Sequence, residues 1–252
     1  MYIMADRRMR IVRQAERRME TAAIPIFARG CLAVRGCEAV RIADEEENEP
    51  AMQIIGARPG SRLAGIYMMI FKKRVLFFAD TTVNIDPTAE ELADIAIGTA
   101  KLVKRFTLEE PKVAMLSFSN FGSNTHASAS KMARAVALTR ERAPEICVDG
   151  EMQADTAVEP EISKESFPFN RVAGDANILI FPNLDTANVA YQLMARLGQA
   201  EAIGPILIGM NKPVFVLQQN SDVNDIVNMA AITAMDITLR KAKLAREKTH
   251  AE

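Results

Sequence analysis

The feature that most restricts how this chain can fold is a unit repeated along its second half: a short continuous apolar run, then a polar loop, then a helical pattern. It occurs as KVAMLSFS, NFGSNTHASAS and KMARAVALTRERA over residues 112–143. It returns as ANILIFPNLDTANVAYQLMARLG (176–198) and KPVFVLQQNSDVNDIVNMAAITAMDITLR (212–240), and in part as ICVDGEM (146–152). Apolar runs this short read as strands buried on both faces, and strands alternating with helices predict an α/β fold with a largely parallel sheet covered on both sides. In such sheets ligands sit beyond the carboxyl ends of the strands, where the polar loops gather. Ahead of the repeats, LAGIYMMIFKKRVLFFADTTVN gives two apolar runs hinged at Lys72 and Lys73, the pattern of a hairpin. A helix over ELADIAIGTAKLVKRF follows, with Asp86 as its cap, Pro87 in its first position and Glu90 in a capping role.

Composition narrows the function classes. The chain has 252 residues, 49% hydrophobic, with a net charge of -1, as for a globular protein of one or two domains. Near-neutral charge argues against nucleic acid, and no apolar run approaches the roughly 20 residues of a membrane span. Cys31, Cys37 and Cys147 form no pairable or zinc-binding pattern, so they read as reduced thiols of a cytoplasmic protein. Residues 1–41 carry nine Arg against four acids, with Met9, Val12, Ala15 and Met19 in helical period, which predicts a basic amphipathic helix. The run DEEENE (44–49) reads as an exposed loop.

The loops after two of the strands are rich in small donors. Ser117, Ser119, Asn120, Gly122 and Ser123 lie in one, and Asn183, Asp185, Thr186 and Asn188 in the next. Hydroxyls and free N–H groups at a helix N-terminus suit an anion. The same residue types are also the best N-caps, and both readings stay open. Asp225 is either a first-turn acid favoured by the helix dipole or a base. His126 reads as a solvent-facing loop residue, and Asp80 and Asp86 as turn and cap residues, so no metal site is expected. The fourteen Met read as core filler.

Seven stretches in order resemble the phosphate acetyl- and butyryltransferases, or phosphotransacetylases. They are PAMQIIGARPG, FFADTTVNIDPTAEELADIA, VAMLSFSNFGS, VDGEMQAD, GDANILIFPNLDTANVAYQL, EAIGPILIGMNKPV and DIVNMAAITA. Three of them, SNFGS, DGEMQAD and PNLDTAN, are most similar to the phosphotransacetylase-like C-terminal domain of bacterial NADP-dependent malic enzymes, a regulatory domain that senses acyl-CoA. The resemblance implies two α/β domains with a cleft between them, an isocitrate/isopropylmalate dehydrogenase-like architecture. Residues 63–212 would form the inserted second domain, and 1–62 with 213–252 a shortened first one. It also implies a homodimer or larger assembly, CoA or acetyl-CoA as ligand with no covalent cofactor, and Gly204 and Pro205 among the ligand-binding positions. An apolar stripe at Ile226, Met229, Ala230 and Ile237 is the candidate association surface.

Departures from the family decide the expected function. Active members carry a Ser-Arg pair where this chain has Gln218 and Gln219, while the Asp six residues past the Arg, a base on the CoA thiol, is kept as Asp225. Arg ahead of the Pro-Ala of PAMQII is here Glu49. A Gln amide donates hydrogen bonds but brings no charge to a phosphoryl group or a developing oxyanion. The resemblance therefore implies an acyl-CoA-binding regulatory or oligomerisation domain, with an active phosphate acyltransferase as the alternative. No G-x-G-x-x-G fingerprint occurs, so a malic-enzyme catalytic domain would be a separate partner.

Overall fold

A computed structural model describes residues 55–107, 109–217 and 223–249. The basic helix, the acidic run with Glu49, Cys31, Cys37, Gln218 and Gln219 lie outside the described residues. Among the described residues, seven strands form one sheet: β1 (Ala64–Ile70), β2 (Val75–Ala79), β3 (Lys112–Leu116), β4 (Cys147–Met152), β5 (Ile178–Ile180), β6 (Glu201–Ile208) and β7 (Val214–Phe215). Their order is β4-β3-β5-β2-β1-β6-β7. The helices are α1 (Ala89–Phe106), α2 (Ala127–Arg142), α3 (Ala154–Val158), α4 (Pro160–Ser166), α5 (Leu184–Arg196) and α6 (Val223–Thr249).

The side-chain period of two explains why the strands read as unbroken apolar runs. Along β1, Ile66, Met68 and Ile70 enter one core, while Tyr67 and Met69 enter the other. Phe77 and Ala79 of β2, Val113 and Met115 of β3, and Ile178 and Ile180 of β5 join the first core; Leu76, Phe78, Ala114, Leu116 and Leu179 join the second. Buried residues of α1, α2 and α6 cover the first core, and Ala157 of α3 with Ala187 and Tyr191 of α5 contribute to the second.

The expectation of a largely parallel sheet holds for only half of it. Strands β4, β3, β5 and β2 pair in parallel, whereas β1, β6 and β7 pair antiparallel. The physical reason lies in the connections: β1 and β2 are joined by a tight turn, Phe71 N–H to Arg74 O at 2.9 Å, which cannot carry a parallel crossover. That turn confirms the hairpin at Lys72 and Lys73. The start of α1 also differs. Thr88 is the cap, in a capping box with Glu91, and Pro87 lies outside the helix. Thr88 accepts the Glu91 N–H with its side chain, while Asp86 is drawn into an ion pair with Lys131 at 2.6 Å.

Residues 213–249 add β7 to this sheet and lay α6 on its first core. Met229, Ile232 and Met235 are buried there, and Met229 and Ile237 of the expected association stripe are therefore covered by the chain's own α1 and sheet. Asp236, 2% exposed, accepts from Arg105 of α1 at 2.7 Å and Arg240 at 2.9 Å.

Candidate functional site

Strands β2, β3, β4 and β5 end at one edge of the sheet, and their loops meet there. The segment Ser117–His126 folds around a buried carboxylate that the sequence reading did not single out. Glu151, at the end of β4, accepts from Ser119 Oγ at 2.8 Å and from Gly122 N–H at 2.6 Å, and its carbonyl takes Phe121 N–H. Ser117 Oγ accepts Ser119 N–H, and Ser123 Oγ accepts Asn120 N–H. The Asn120 side chain clasps Gln153 by two bonds of 3.1 and 2.8 Å. His126, exposed as expected, caps α2 by accepting Ser128 N–H at Nδ1. Most donors expected for an anion are thus spent on holding the loop in one shape.

The neighbouring loop behaves likewise. Asn183 caps α5, its side chain accepting from Thr186 N–H at 3.0 Å and Thr186 Oγ1 at 2.9 Å. Asn188 Oδ1 takes Gln192 Nε2 at 2.6 Å, and Asp185 is exposed. Here the capping reading is the one the geometry bears out. Lys131 ties the edge together: its Nζ donates to Asp86 of the β2–α1 loop and to Pro182 O of the β5–α5 loop, at 2.6 and 3.0 Å.

Asp80 organises the β2–α1 loop as a turn residue. Its buried carboxylate accepts from the N–H groups of Gly65, Thr82, Val83 and Asn84, and from the Asn84 side chain. Glycine is required at 65, because a Cβ there would stand 1.6 Å from Thr82 Oγ1.

Asp225 belongs to a different place. β7 runs antiparallel to β6, so the chain beyond Phe215 leads away from the loop edge, and Val216 N–H meets Pro205 O at 3.4 Å. Further along α6, Asn228 Nδ2 donates to Glu201 Oε1 at 2.9 Å, at the opposite end of β6. Burial, then the adjoining Tyr191 phenol and last the Asp225 charge, hold the Tyr67 hydroxyl protonated far above its ordinary value. Tyr67 and Tyr191 stack with centroids 4.2 Å apart. Gly204 makes room for that stack, since a Cβ would come within 2.8 Å of the Tyr67 ring. Gly204 and Pro205 are therefore strand residues beside Tyr67, remote from the serine-rich loop. From β3 to β6 is four strand steps, about 19 Å.

The structure brings together Ser117, Ser119, Asn120, Gly122 and Ser123 with Asn183 and Thr186, because β3 and β5 are neighbours. Asp225 lies on α6, whose Asn228 reaches Glu201 at the start of β6. Glu151 and Lys131 are the residues sequence reasoning missed; the signal for Glu151 was a pair of acids, Asp149 and Glu151, inside a short strand pattern, ICVDGEM.

Polar loops collected beyond one edge of a helix-covered sheet are the arrangement in which α/β domains commonly hold their ligands. Residues 41–234 match the phosphate acetyl/butaryl transferase family, and the chain belongs to it. It is 42% identical over 193 residues to a phosphate acetyltransferase of Clostridium acetobutylicum, covering 74% of this chain and 58% of that protein. It is 43% identical to an NADP-dependent malic enzyme of Salmonella typhimurium, over 73% of this chain and 24% of that protein. A phosphotransacetylase structure from Streptococcus pyogenes superposes with a TM-score of 0.72 at 43% identity, covering 76% of this chain and 59% of that one. The chain thus spans less than two thirds of the length of these relatives. Among the described residues no helix is long and apolar enough to cross a membrane.

Proposed function

We propose that this chain is a phosphotransacetylase-related domain that binds a CoA ester, acetyl-CoA in the first instance, without transferring its acyl group. In this reading it serves as the regulatory part of a larger protein of malic-enzyme type. The observation that carries the reading is Gln218 and Gln219 where active members of the family carry Ser and Arg: a neutral amide does not replace the charged partner that a transferring phosphoryl group needs. Binding asks for less than turnover: shape and donors suffice, while rate requires charge placed where it develops in the transition state. The loops around Glu151 are preformed, so little ordering cost opposes a ligand.

Two measurements test this. Purified protein given acetyl phosphate and CoA is expected to form no acetyl-CoA above background. A turnover of about 1 s⁻¹, ordinary for an enzyme, would overturn the proposal in favour of an active transferase, the activity named for its phosphate acetyltransferase relatives. Calorimetry with acetyl-CoA is expected to give micromolar binding, about 8 kcal/mol. Ser119→Ala should weaken binding about tenfold, by releasing Glu151 and the loop it holds, whereas Asn188→Ala should change it little. No heat and no melting shift at about 1 mM acetyl-CoA would reject the binding reading.

A further inference from the structure

The two donor-rich loops at the edge of the sheet use most of their groups to hold their own shape, so a phosphate arriving there needs a counter-charge from another element. Lys131, on the second turn of α2, supplies one. Its ammonium sits at the junction of the β2–α1 and β5–α5 loops, donating to Asp86 Oδ1 at 2.6 Å and to Pro182 O at 3.0 Å. An ammonium carries three N–H donors, and these contacts engage two of them. The Lys131 side chain is 22% exposed, whereas that of Asp86 is 77% exposed.

This asymmetry decides what the pair can do. A carboxylate that stays mostly in water keeps its hydration, and salt screens its attraction, so its hold on the ammonium adds little to stability. The junction does not depend on it either. Leu184 N–H donates to Ile85 O at 3.0 Å and joins the same two loops through their backbones. Helix α2 is fixed separately, by Met132 and Ala135 buried in the first core. Lys131 is therefore a largely covered cation on a fixed stem, and its counter-ion can turn out into solvent at small cost. A phosphate or diphosphate is the better partner, with several acceptor oxygens and a charge that persists at neutral pH, and Lys commonly holds such groups as a point charge.

We infer that Lys131 is the phosphate-binding cation of the candidate site, and that Asp86 is an internal stand-in that occupies the ammonium until an anionic ligand displaces it. The inference rests on the acyl-CoA reading for the source of that phosphate, the diphosphate link of the CoA ester. The contact chemistry is the same for a free diphosphate. No covalent bond changes; one ion pair is exchanged for another.

The two members of the pair should then act in opposite directions, which a simple latch between loops would not do. The test is titration calorimetry with two probes, acetyl-CoA and inorganic pyrophosphate, at fixed ionic strength, with the folding of each variant checked by its melting curve. Asp86→Asn removes the competing charge and is expected to tighten both probes about fivefold. Lys131→Gln is expected to weaken both about tenfold, and Lys131→Arg to restore part of that loss. Asp86→Asn combined with Lys131→Gln should bind as weakly as Lys131→Gln alone, because the competitor has nothing left to occupy. Weaker binding in Asp86→Asn, or unchanged binding in Lys131→Gln, would overturn the inference. If pyrophosphate follows the expected order and acetyl-CoA does not bind, the acyl-CoA reading fails and the role of Lys131 stands. If acetyl-CoA binds with an affinity indifferent to both substitutions, the reverse holds, and if neither probe binds any of the proteins, both fail.

Discussion

Tyr67 holds its phenol in the second core, stacked on Tyr191 and within the field of Asp225, and this gives it a consequence for stability at high pH. Its hydroxyl ionises far above the ordinary value of 10.0 because burial disfavours the phenolate, with the Tyr191 neighbour and the Asp225 charge adding to it. The unfolded chain loses this proton near pH 10 and the folded chain does not. The stability from a protonated, buried Tyr67 is therefore fully present below about pH 10 and is lost as pH rises beyond it. Melting temperatures of the wild type should fall more steeply between about pH 10 and 11 than those of Tyr67→Phe, which lacks the group. Parallel declines would contradict this. Single residues were unevenly legible in the sequence. Asp80 in a turn and Asn183 at a cap follow from residue type, because a short carboxylate or amide beside free N–H groups has few other uses. Glu151 did not, since its partners Ser119 and Gly122 are brought to it by the pairing of β3 with β4, and nothing local announces that.

At the scale of elements, α6 is fixed as much by one buried ion cluster as by its apolar side. Burial lowers the Arg105 guanidinium below its ordinary value, while the Asp236 carboxylate opposes that shift. Removing Asp236 would leave Arg105 and Arg240 facing each other in a partly buried site. Asp236→Ala should cost about 3 kcal/mol, and Asp236→Leu with Arg105→Leu markedly less, since the pair is then removed together. Urea unfolding of the three proteins decides this, and equal losses in single and double variants would count against it. β1, β2, β3, α2 and α5 were readable from apolar runs and caps. β6 was not, because Gly204 and Pro205 interrupt its apolar pattern; in the sheet the glycine admits the Tyr67 ring.

At the scale of the whole molecule, β7 pairs into the same sheet as β1 to β6, and α6 packs on the first core. The described residues should therefore unfold in one cooperative transition by calorimetry, and two resolved transitions would show that α6 and β7 melt apart. The antiparallel half of the sheet was hidden from sequence reasoning because strand direction is set by connection geometry, and a run such as EAIGPILI is compatible with either direction. One consequence of that topology concerns contacts the protein must avoid. Among the described residues, β7 pairs with Ile206 and Leu207 and Val216 N–H reaches Pro205 O, so the first half of β6 has no strand on its outer side there. Pro205 lacks an N–H to offer, Glu201 brings a charge, and Asn228 anchors α6 across the same stretch at 2.9 Å. These are the devices by which exposed strand edges are kept from templating aggregates.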